Sequence, residues 1–154
     1  MAGAGKSSIG KQLADYLKFD FIDSDKLIEI NQKKSLQDVL VENGIQEFKK
    51  IEEAAILSVE FNQTVLATGG SAIFSKNAMN YIKRNSLIIY LEVPFKDILE
   101  RVPNFSDRGF IKEQSQSIYD AFEAREDLYK QSADHIVQNS GEILSCLQEI
   151  LDIL

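Results

Sequence analysis

Apolar residues along the chain alternate between a helical spacing and short continuous runs. Residues 7–17 carry apolar side chains three or four positions apart, at Ile9, Leu13 and Leu17, which predicts an amphipathic helix. Runs of aromatic, aliphatic and β-branched residues predict strands at 19–23, 64–67, 87–91 and 135–137. Further helices are predicted at 24–30, 35–44, 45–61, 75–84, 94–101, 117–131 and 141–154.

The alternation of strands and helices predicts an α/β fold, in which a parallel sheet is flanked by helices. The apolar run 87–91 is typical of a strand buried on both faces of such a sheet. In open α/β sheets, ligands bind at the carboxyl ends of the strands. Residues 102–114 have no periodicity and contain Pro, Asn, Asp and Gly, so we predict a mobile lid there.

The chain begins with a glycine-rich segment typical of the end of a phosphate-binding P-loop, whose full pattern is G-x-x-x-x-G-K-[ST]. Gly3, Ala4 and Gly5 are small enough for consecutive backbone N–H groups to surround a phosphate. Lys6 would reach the outer phosphates, and the Ser7 hydroxyl is a ligand for Mg²⁺. The following helix directs the positive end of its dipole at the same site, so the pattern predicts nucleotide binding.

The P-loop pattern is cut at its edge. Its first glycine would fall one position before Met1, and the hydrophobic strand that precedes such a loop is not in the sequence. That strand would lie near the centre of the sheet, so we expect a sheet without its first central strand. Loss of a central strand exposes sheet edges, and we therefore expect the chain from Met1 to be insoluble or unstable.

Two other strand ends carry residues suited to phosphoryl transfer. Asp23 and Asp25 follow the strand 19–23, and Gly69 and Gly70 follow the strand 64–67. Phosphoryl transfer needs a phosphate cradle, a carboxylate for Mg²⁺ and a group that orients the attacking hydroxyl, and the two aspartates can supply the last two. The alternatives are structural: the aspartates cap the next helix, and the glycines form a turn.

Composition limits the function further. With 154 residues, one cysteine, a net charge of −7 and a pI of about 4.8, the chain has the properties of an acidic, single-domain cytoplasmic protein. No apolar run is long enough to span a membrane. The negative charge argues against general binding to nucleic acids or anionic membranes. We expect a monomer whose partner is a small molecule.

The order and spacing of these motifs resemble the shikimate kinases, small P-loop kinases of aromatic amino-acid biosynthesis. The similar stretches are 1–11, 21–25 with Ile28-Glu29, 46–53, 67–70, Tyr90-Leu91 and 124–129. They extend over most of the chain and follow the order of the family. The resemblance implies a kinase that uses ATP and Mg²⁺ to phosphorylate a hydroxyl of shikimate, giving shikimate 3-phosphate.

The resemblance also implies roles on the nucleotide side. The glycine-rich loop, Lys6 and Ser8 would bind the phosphates of ATP, and Arg101 would lie against the adenine. Ser7 and Asp23 would hold Mg²⁺. Lys6 would in addition be catalytic, because its ammonium group stabilises charge on the transferred phosphoryl.

On the acceptor side, the resemblance implies that Asp25 binds the shikimate hydroxyls, either as a base or as an orienting group. Arg125 would bind the carboxylate, and Gly69 and Gly70 would let the backbone approach the ring. Arg108 would be the lid arginine that contacts the phosphoryl group. The alternatives are a surface ion pair between Arg125 and its acidic neighbours, and an ordinary loop charge at Arg108.

Three positions depart from the family pattern. Lys49 stands where a second carboxylate-binding arginine is usual, so the implied contact keeps its charge but loses the bidentate fork. Ser71 replaces a third glycine, and 109–111 replaces a Pro-Leu run. From the residues alone, Lys49 would belong to a solvated helix face. The alternatives for function are a related kinase for another small hydroxy acid, and a nucleotide-binding protein without catalysis.

Overall fold

The computed structural model describes residues 1–102 and 115–154. Helices and strands alternate along them as the apolar pattern predicts. In chain order the elements are α1 (Lys6–Leu17), β1 (Asp20–Asp23), α2 (Ser24–Gln32), α3 (Leu36–Leu57), β2 (Thr64–Ala67), a 3-10 turn (Ala72–Phe74), α4 (Lys76–Asn85), β3 (Ile89–Glu92), α5 (Phe95–Arg101), α6 (Ile118–Ser132), β4 (His135–Gln138) and α7 (Ile143–Ile153).

Side-chain caps fix where several helices begin. Serine hydroxyls accept hydrogen bonds from backbone N–H groups in the first turns of α3, α4 and α6, as the predicted helix starts require. These serines are Ser35, Ser75 and Ser117. In helix α2 the capping residue is Asp23, whereas Ser24, which is also of a residue type that caps helices, is not. The reason is that the Ser24 hydroxyl is engaged in a tertiary hydrogen bond, described below.

Gly44 interrupts α3 with non-helical dihedral angles (φ 73°, ψ 169°). The sequence predicts two helices that meet at this glycine, and the structure confirms the position of the break. Glycine tolerates the positive φ that a side chain would make costly. The second half ends at Leu57 instead of residue 61, because Val59 is buried and residues 58–63 return the chain to β2.

The four strands found within residues 1–102 and 115–154 form two parallel pairs, which confirms the predicted α/β class. The registers run from Asp20↔Thr64 to Asp23↔Ala67 for β1 with β2, and from Ile89↔His135 to Glu92↔Gln138 for β3 with β4. Between β2 and β3 lies a largely apolar groove of about 420 Å³. Among the described residues the two pairs share no ladder hydrogen bonds. The expected central strand, and the expected instability without it, stay predictions.

The largest apolar cluster packs α1 and α7 against β3 and β4. Ile9, Leu91, Val137 and Ile150 are buried at its centre. A second cluster joins α2 to α3, and a third joins α3 to the 3-10 turn and α4. The predicted burial of 87–91 on both faces is wrong at Leu87, which is 45% exposed because β3 begins two residues later.

These clusters hold the carboxyl ends of the strands, and the loops that follow them, in a fixed relation to α1. Within residues 1–102 and 115–154, no helix combines the length and the apolar content that crossing a membrane requires.

Candidate functional site

The glycine-rich loop before α1 has two positions at which both backbone conformation and space favour glycine. Gly3 and Gly5 have φ values of 75° and 82°, in the left-handed region. A Cβ at Gly3 would lie 2.6 Å from Cγ2 of Val102, and one at Gly5 would lie 2.7 Å from Nδ2 of Asn139. Gly5 is also the residue before the first turn of α1, where unpaired N–H groups and the helix dipole favour an anion.

Asn139, directly after β4, holds this loop in place. Sequence analysis did not identify this residue. The buried Asn139 side chain donates a 2.8 Å hydrogen bond to the carbonyl oxygen of Ala4. The carbonyl oxygen of Asn139 in turn accepts a 2.8 Å hydrogen bond from Arg101. Arg101 therefore lies beside the phosphate loop. The available signal was the position of Asn139, directly after the carboxyl end of β4.

Ser7 and Asp23 meet across the start of α1 and the end of β1. The Ser7 hydroxyl donates a 2.6 Å hydrogen bond to Oδ2 of Asp23. The other oxygen, Oδ1, accepts from the backbone nitrogens of Asp25 at 3.0 Å and Lys26 at 3.3 Å. Asp23 therefore caps α2 and faces the phosphate loop at the same time. The structural and the functional interpretations of this aspartate are compatible.

This pair has the oxygen chemistry that Mg²⁺ prefers. Residues 1–102 and 115–154 contain no group of three or more His, Cys, Asp or Glu side chains that would hold a metal alone. A hydroxyl and a carboxylate beside a phosphate loop suit an ion that keeps several waters and is shared with phosphates. The residues present therefore fit Mg²⁺ bound together with a nucleotide.

Lys6 and Asp25 lie within electrostatic range of each other. Burial lowers the pKa of Lys6, and Asp25 is the strongest of the nearby carboxylates that raise it again. Burial raises the pKa of Asp25, Asp23 raises it further, and Lys6 lowers it. The Lys6 ammonium also donates a 2.5 Å hydrogen bond to the carbonyl oxygen of Met1. The ammonium group is thus directed back over the loop.

The Ser24 hydroxyl joins the aspartate turn to the loop after β2. It accepts a 2.8 Å hydrogen bond from the backbone nitrogen of Gly69, and both groups are buried. A Cβ at Gly69 would clash with carboxyl oxygens of both Glu52 and Asp25. Glycine at this position therefore lets the backbone lie directly against two carboxyl groups. A Cβ at Gly70 would make only ordinary contacts, the nearest 3.5 Å from the Tyr129 hydroxyl.

Glu52 is a site residue that sequence analysis did not single out. It is 2% exposed, and its Oε2 accepts a 2.6 Å hydrogen bond from the hydroxyl of Ser71. The pKa of Glu52 is raised to about 7, and burial is the main cause. Asp25 also raises this pKa, whereas Ser71, Lys49 and Arg125 lower it. Ser71 is thus turned towards Glu52. The signal was present, because Glu52 shares the buried face of α3 with residues such as Phe48 and Ala55.

Two cations lie over the ring of Phe74. The Lys49 ammonium nitrogen is 5.1 Å from the ring centroid, and the Arg125 guanidinium carbon is 5.2 Å from it. Arg125 is 3% exposed and donates a 2.8 Å hydrogen bond to the carbonyl oxygen of Ala121. The surface ion pair considered for Arg125 is therefore wrong. Its neighbour Glu126 instead contacts Lys130 at 3.1 Å.

The solvated-face interpretation holds for Lys50 and fails for Lys49. Lys50 and Glu47 form an exposed ion pair of 2.9 Å on α3. Lys49, one residue earlier, is half-buried against Phe74. Ser8 is exposed in the first turn of α1. Arg108 and residues 109–111 lie outside the described residues, as does nearly all of the predicted lid.

The residues of the candidate site thus fall into two adjoining groups. One consists of the glycine-rich loop, Lys6, Ser7 and Asp23, with Arg101 beside it. The other consists of Gly69, Glu52 and the two cations at Phe74. Asp25 lies next to both groups: it packs against Gly69 and interacts electrostatically with Lys6.

Comparison with known proteins gives this arrangement a family. A family model described as shikimate kinase matches residues 2–154. A shikimate kinase of Sulfurihydrogenibium sp. is 32% identical over 151 residues, which cover 97% of this chain and 90% of the relative. A shikimate kinase of Clostridium beijerinckii is 32% identical over 155 residues, covering 100% of this chain and 90% of the relative.

Solved structures agree with the sequence comparison. The shikimate kinase of Acinetobacter baumannii, solved in complex with shikimate, superposes with a TM-score of 0.88 at 28% identity. The superposition covers 98% of this chain and 87% of that one. The shikimate kinase of Bacteroides thetaiotaomicron gives a TM-score of 0.83 at 26% identity, covering 99% of this chain and 93% of the other.

Proposed function

The chain belongs to the shikimate kinase family, and from this we propose that it transfers the γ-phosphoryl group of ATP to a hydroxyl of shikimate, in aromatic amino-acid biosynthesis. One structural observation supports the proposal in addition to membership of the family. Asp25 lies between a phosphate loop and a cationic pocket, because it interacts with Lys6 on one side and packs against Gly69 beside Glu52 on the other.

The nucleotide side would work through preorganised positive charge. Backbone N–H groups of the glycine-rich loop and the N-terminus of α1 would bind the phosphates, with Ser8 in the first turn. Lys6 would stabilise the charge that develops on the transferred phosphoryl. Arg101, oriented by Asn139, would lie against the adenine.

We propose Mg²⁺ as the metal, held by the Ser7 hydroxyl and the Asp23 carboxylate. Their 2.6 Å contact supports this assignment, since both are oxygen ligands at the edge of the phosphate loop. Bound there, the ion would neutralise charge on the β- and γ-phosphates. Asp23 would be kept in place by the two backbone N–H groups that it caps.

The acceptor side would bind a hydroxylated carboxylate. Asp25 would orient the attacking hydroxyl, and Lys49 and Arg125 would bind the carboxylate. Arg125 offers a planar fork of donors, whereas Lys49 offers a single charge on a flexible stem. The bound shikimate in the Acinetobacter baumannii relative supports this choice of acceptor.

Backbone groups and the lid would complete the enzyme. Gly69 and Gly70 would bring main-chain groups close to the acceptor ring. Arg108 would contact the transferring phosphoryl and help to exclude water, which limits hydrolysis of ATP. We further propose one kinase domain that acts as a cytoplasmic monomer and binds neither nucleic acid nor membranes.

A second candidate acceptor is another small hydroxy acid. Lys49 favours it, because a lysine gives up the bidentate geometry with which an arginine selects a carboxylate. Ser71 argues less for it, because its hydroxyl is engaged by Glu52.

The test is steady-state ADP release from Mg²⁺-ATP, with shikimate and with a panel of other small hydroxy acids as acceptors. We expect release to depend on shikimate, and Lys6→Met to reduce the rate by at least about 100-fold. Release that depends on a different acceptor would favour the second candidate. ATP binding without acceptor-dependent release would show a nucleotide-binding protein and refute the kinase.

A further inference from the structure

Phe74 lies between two helices that approach the acceptor pocket from different parts of the chain. Lys49 comes from α3 and Arg125 from α6, and both place their charge about the same distance from one ring, 5.1 and 5.2 Å. The face of an aromatic ring carries negative potential and attracts cations. A single ring therefore contacts one cation from each of the two helices.

The other end of the same segment is held by the same two helices. The Tyr129 hydroxyl donates a 2.6 Å hydrogen bond to the carbonyl oxygen of Gly70, and the Ser71 hydroxyl donates one of 2.6 Å to Glu52. Tyr129 lies four residues after Arg125 on α6, and Glu52 lies three residues after Lys49 on α3. Adjacent turns of each helix therefore contact one short segment, residues 70–74, which defines the position of the Phe74 ring.

Exposure indicates which part of this arrangement a ligand can reach. Arg125 is nearly buried, whereas Phe74 is 41% exposed and Lys49 is half-buried. The Phe74 ring is therefore partly open to solvent, whereas the Arg125 guanidinium is buried and held by the carbonyl oxygen of Ala121. A carboxylate that enters at the open side would approach a ring that carries a cation from each of the two helices.

Resting on the proposed function, we propose that Phe74 is a positioning residue that holds Lys49 and Arg125 as a cation pair for the carboxylate of the acceptor. The ring restricts the flexible stem of Lys49. The ring thereby reduces the conformational freedom of the Lys49 side chain, which partly compensates for the missing planar guanidinium of an arginine at this position. Phe74 would act on binding of the acceptor and leave the nucleotide side unchanged.

The kinetic test compares Phe74→Leu with the wild type. Leucine retains apolar packing and removes the ring face, so the KM for shikimate should rise about five- to tenfold. The kcat should stay within about twofold and the KM for ATP should not change, because uniform binding is what is lost. Phe74→Trp should restore the KM for shikimate. Phe61→Leu removes a ring outside the pocket, one that contacts Tyr81, and should leave all three constants unchanged.

A double-mutant cycle separates positioning from a structural effect. If Phe74 acts through Lys49, the rise in KM caused by Phe74→Leu should largely disappear in a Lys49→Met background. A purely structural role would give additive effects and an equal rise in the KM for ATP. Additive effects, or an unchanged KM for shikimate in Phe74→Leu, would overturn the proposal.

A ligand-independent measurement keeps this test apart from the fate of the proposed function. The ring should shift the NMR signals of the Lys49 side-chain CH₂ next to the ammonium upfield relative to Lys50, and Phe74→Leu should abolish the difference. Absence of turnover with shikimate would refute the proposed function alone. Absence of the upfield shift, or its persistence in Phe74→Leu, would overturn the assignment of Phe74.

Discussion

The hydroxyl of Ser7 and the Oδ2 atom of Asp23 are 2.6 Å apart, although 16 positions separate the two residues in the sequence. The contact joins the first turn of α1 to the carboxyl end of β1. It places a hydroxyl and a carboxylate at the edge of a glycine-rich loop whose backbone can bind phosphate. This relationship links the fold to the proposed chemistry, since both proposed Mg²⁺ ligands come from elements that packing holds in place.

Ser7→Ala should weaken the use of Mg²⁺ and leave the fold intact. Removing one oxygen ligand should raise the Mg²⁺ concentration needed for half-maximal rate by about 10- to 100-fold. The measurement is a Mg²⁺ titration of ADP release at saturating ATP and shikimate. Ser145→Ala, an exposed serine on α7, is the control and should give the wild-type titration. An unchanged Mg²⁺ requirement in Ser7→Ala would contradict the assignment of this ligand.

Gly69→Ala and Gly70→Ala form a matched pair. A methyl group at Gly69 would clash with Glu52 and Asp25, so we expect a loss of about 1–3 kcal/mol in the free energy of unfolding. At Gly70 the nearest atom is 3.5 Å away, and the free energy of unfolding should change by less than about 0.5 kcal/mol. Urea unfolding of both variants checks this. Equal losses would show that the packing around Gly69 is not as tight as described.

Glu52 should make stability depend on pH. Its pKa is raised from 4.5 to about 7 in the folded chain, mainly by burial. Between these values the unfolded chain releases the proton and the folded chain keeps it, so the free energy of unfolding falls as pH rises. The total loss in the free energy of unfolding is about 3 kcal/mol. It is complete once the pH exceeds the pKa of Glu52 in the folded chain.

The groups that face Glu52 set this pKa, and they come from several elements. Asp25 raises it, whereas Ser71, Lys49 and Arg125 lower it. Glu52→Gln removes the titration. The free energy of unfolding of this variant, relative to that of the wild type, should therefore increase as the pH rises from 5 to 8. Urea unfolding at both pH values measures the gain, with Glu149→Gln, at an exposed position of α7, as the control. A difference between wild type and Glu52→Gln that is the same at both pH values would contradict the assignment.

Asn139→Ala should damage the nucleotide side selectively. It removes the donor to the Ala4 carbonyl oxygen and the side chain that packs against Gly5. Loss of a buried hydrogen bond of this kind costs about 1–3 kcal/mol. We expect the KM for ATP to rise while the KM for shikimate stays near the wild-type value. Equal changes in both constants would indicate that Asn139 acts on the whole fold.

Local patterns predicted much of this molecule. The spacing of Ile9 and Leu13 predicts α1, three of the predicted helix ranges begin at the serines that cap α3, α4 and α6, and Gly44 predicts the break in α3. Each of these features depends on neighbours within a turn or two, so the sequence contains the information directly. The glycine-rich loop is equally local. The positive φ of Gly5 is consistent with the glycine that the motif requires before the lysine.

Contacts between distant segments were not predictable in the same way. Glu52 with Ser71, Phe74 with Lys49 and Arg125, and Asn139 with Ala4 each join residues that only the tertiary fold brings together. The choice between Asp23 and Ser24 as the cap of α2 is similar. Both residue types cap helices, and the decision comes from the hydrogen bond between Ser24 and Gly69.

The most direct test of the central claim is identification of the product. Shikimate is incubated with Mg²⁺-ATP and the protein, with Lys6→Met as the inactive control, and the mixture is analysed by mass spectrometry and phosphorus NMR. We predict shikimate that carries one phosphoryl group, formed together with ADP and at least about 100-fold more slowly by Lys6→Met. Recovery of unmodified shikimate while ATP is retained or simply hydrolysed would contradict the claim.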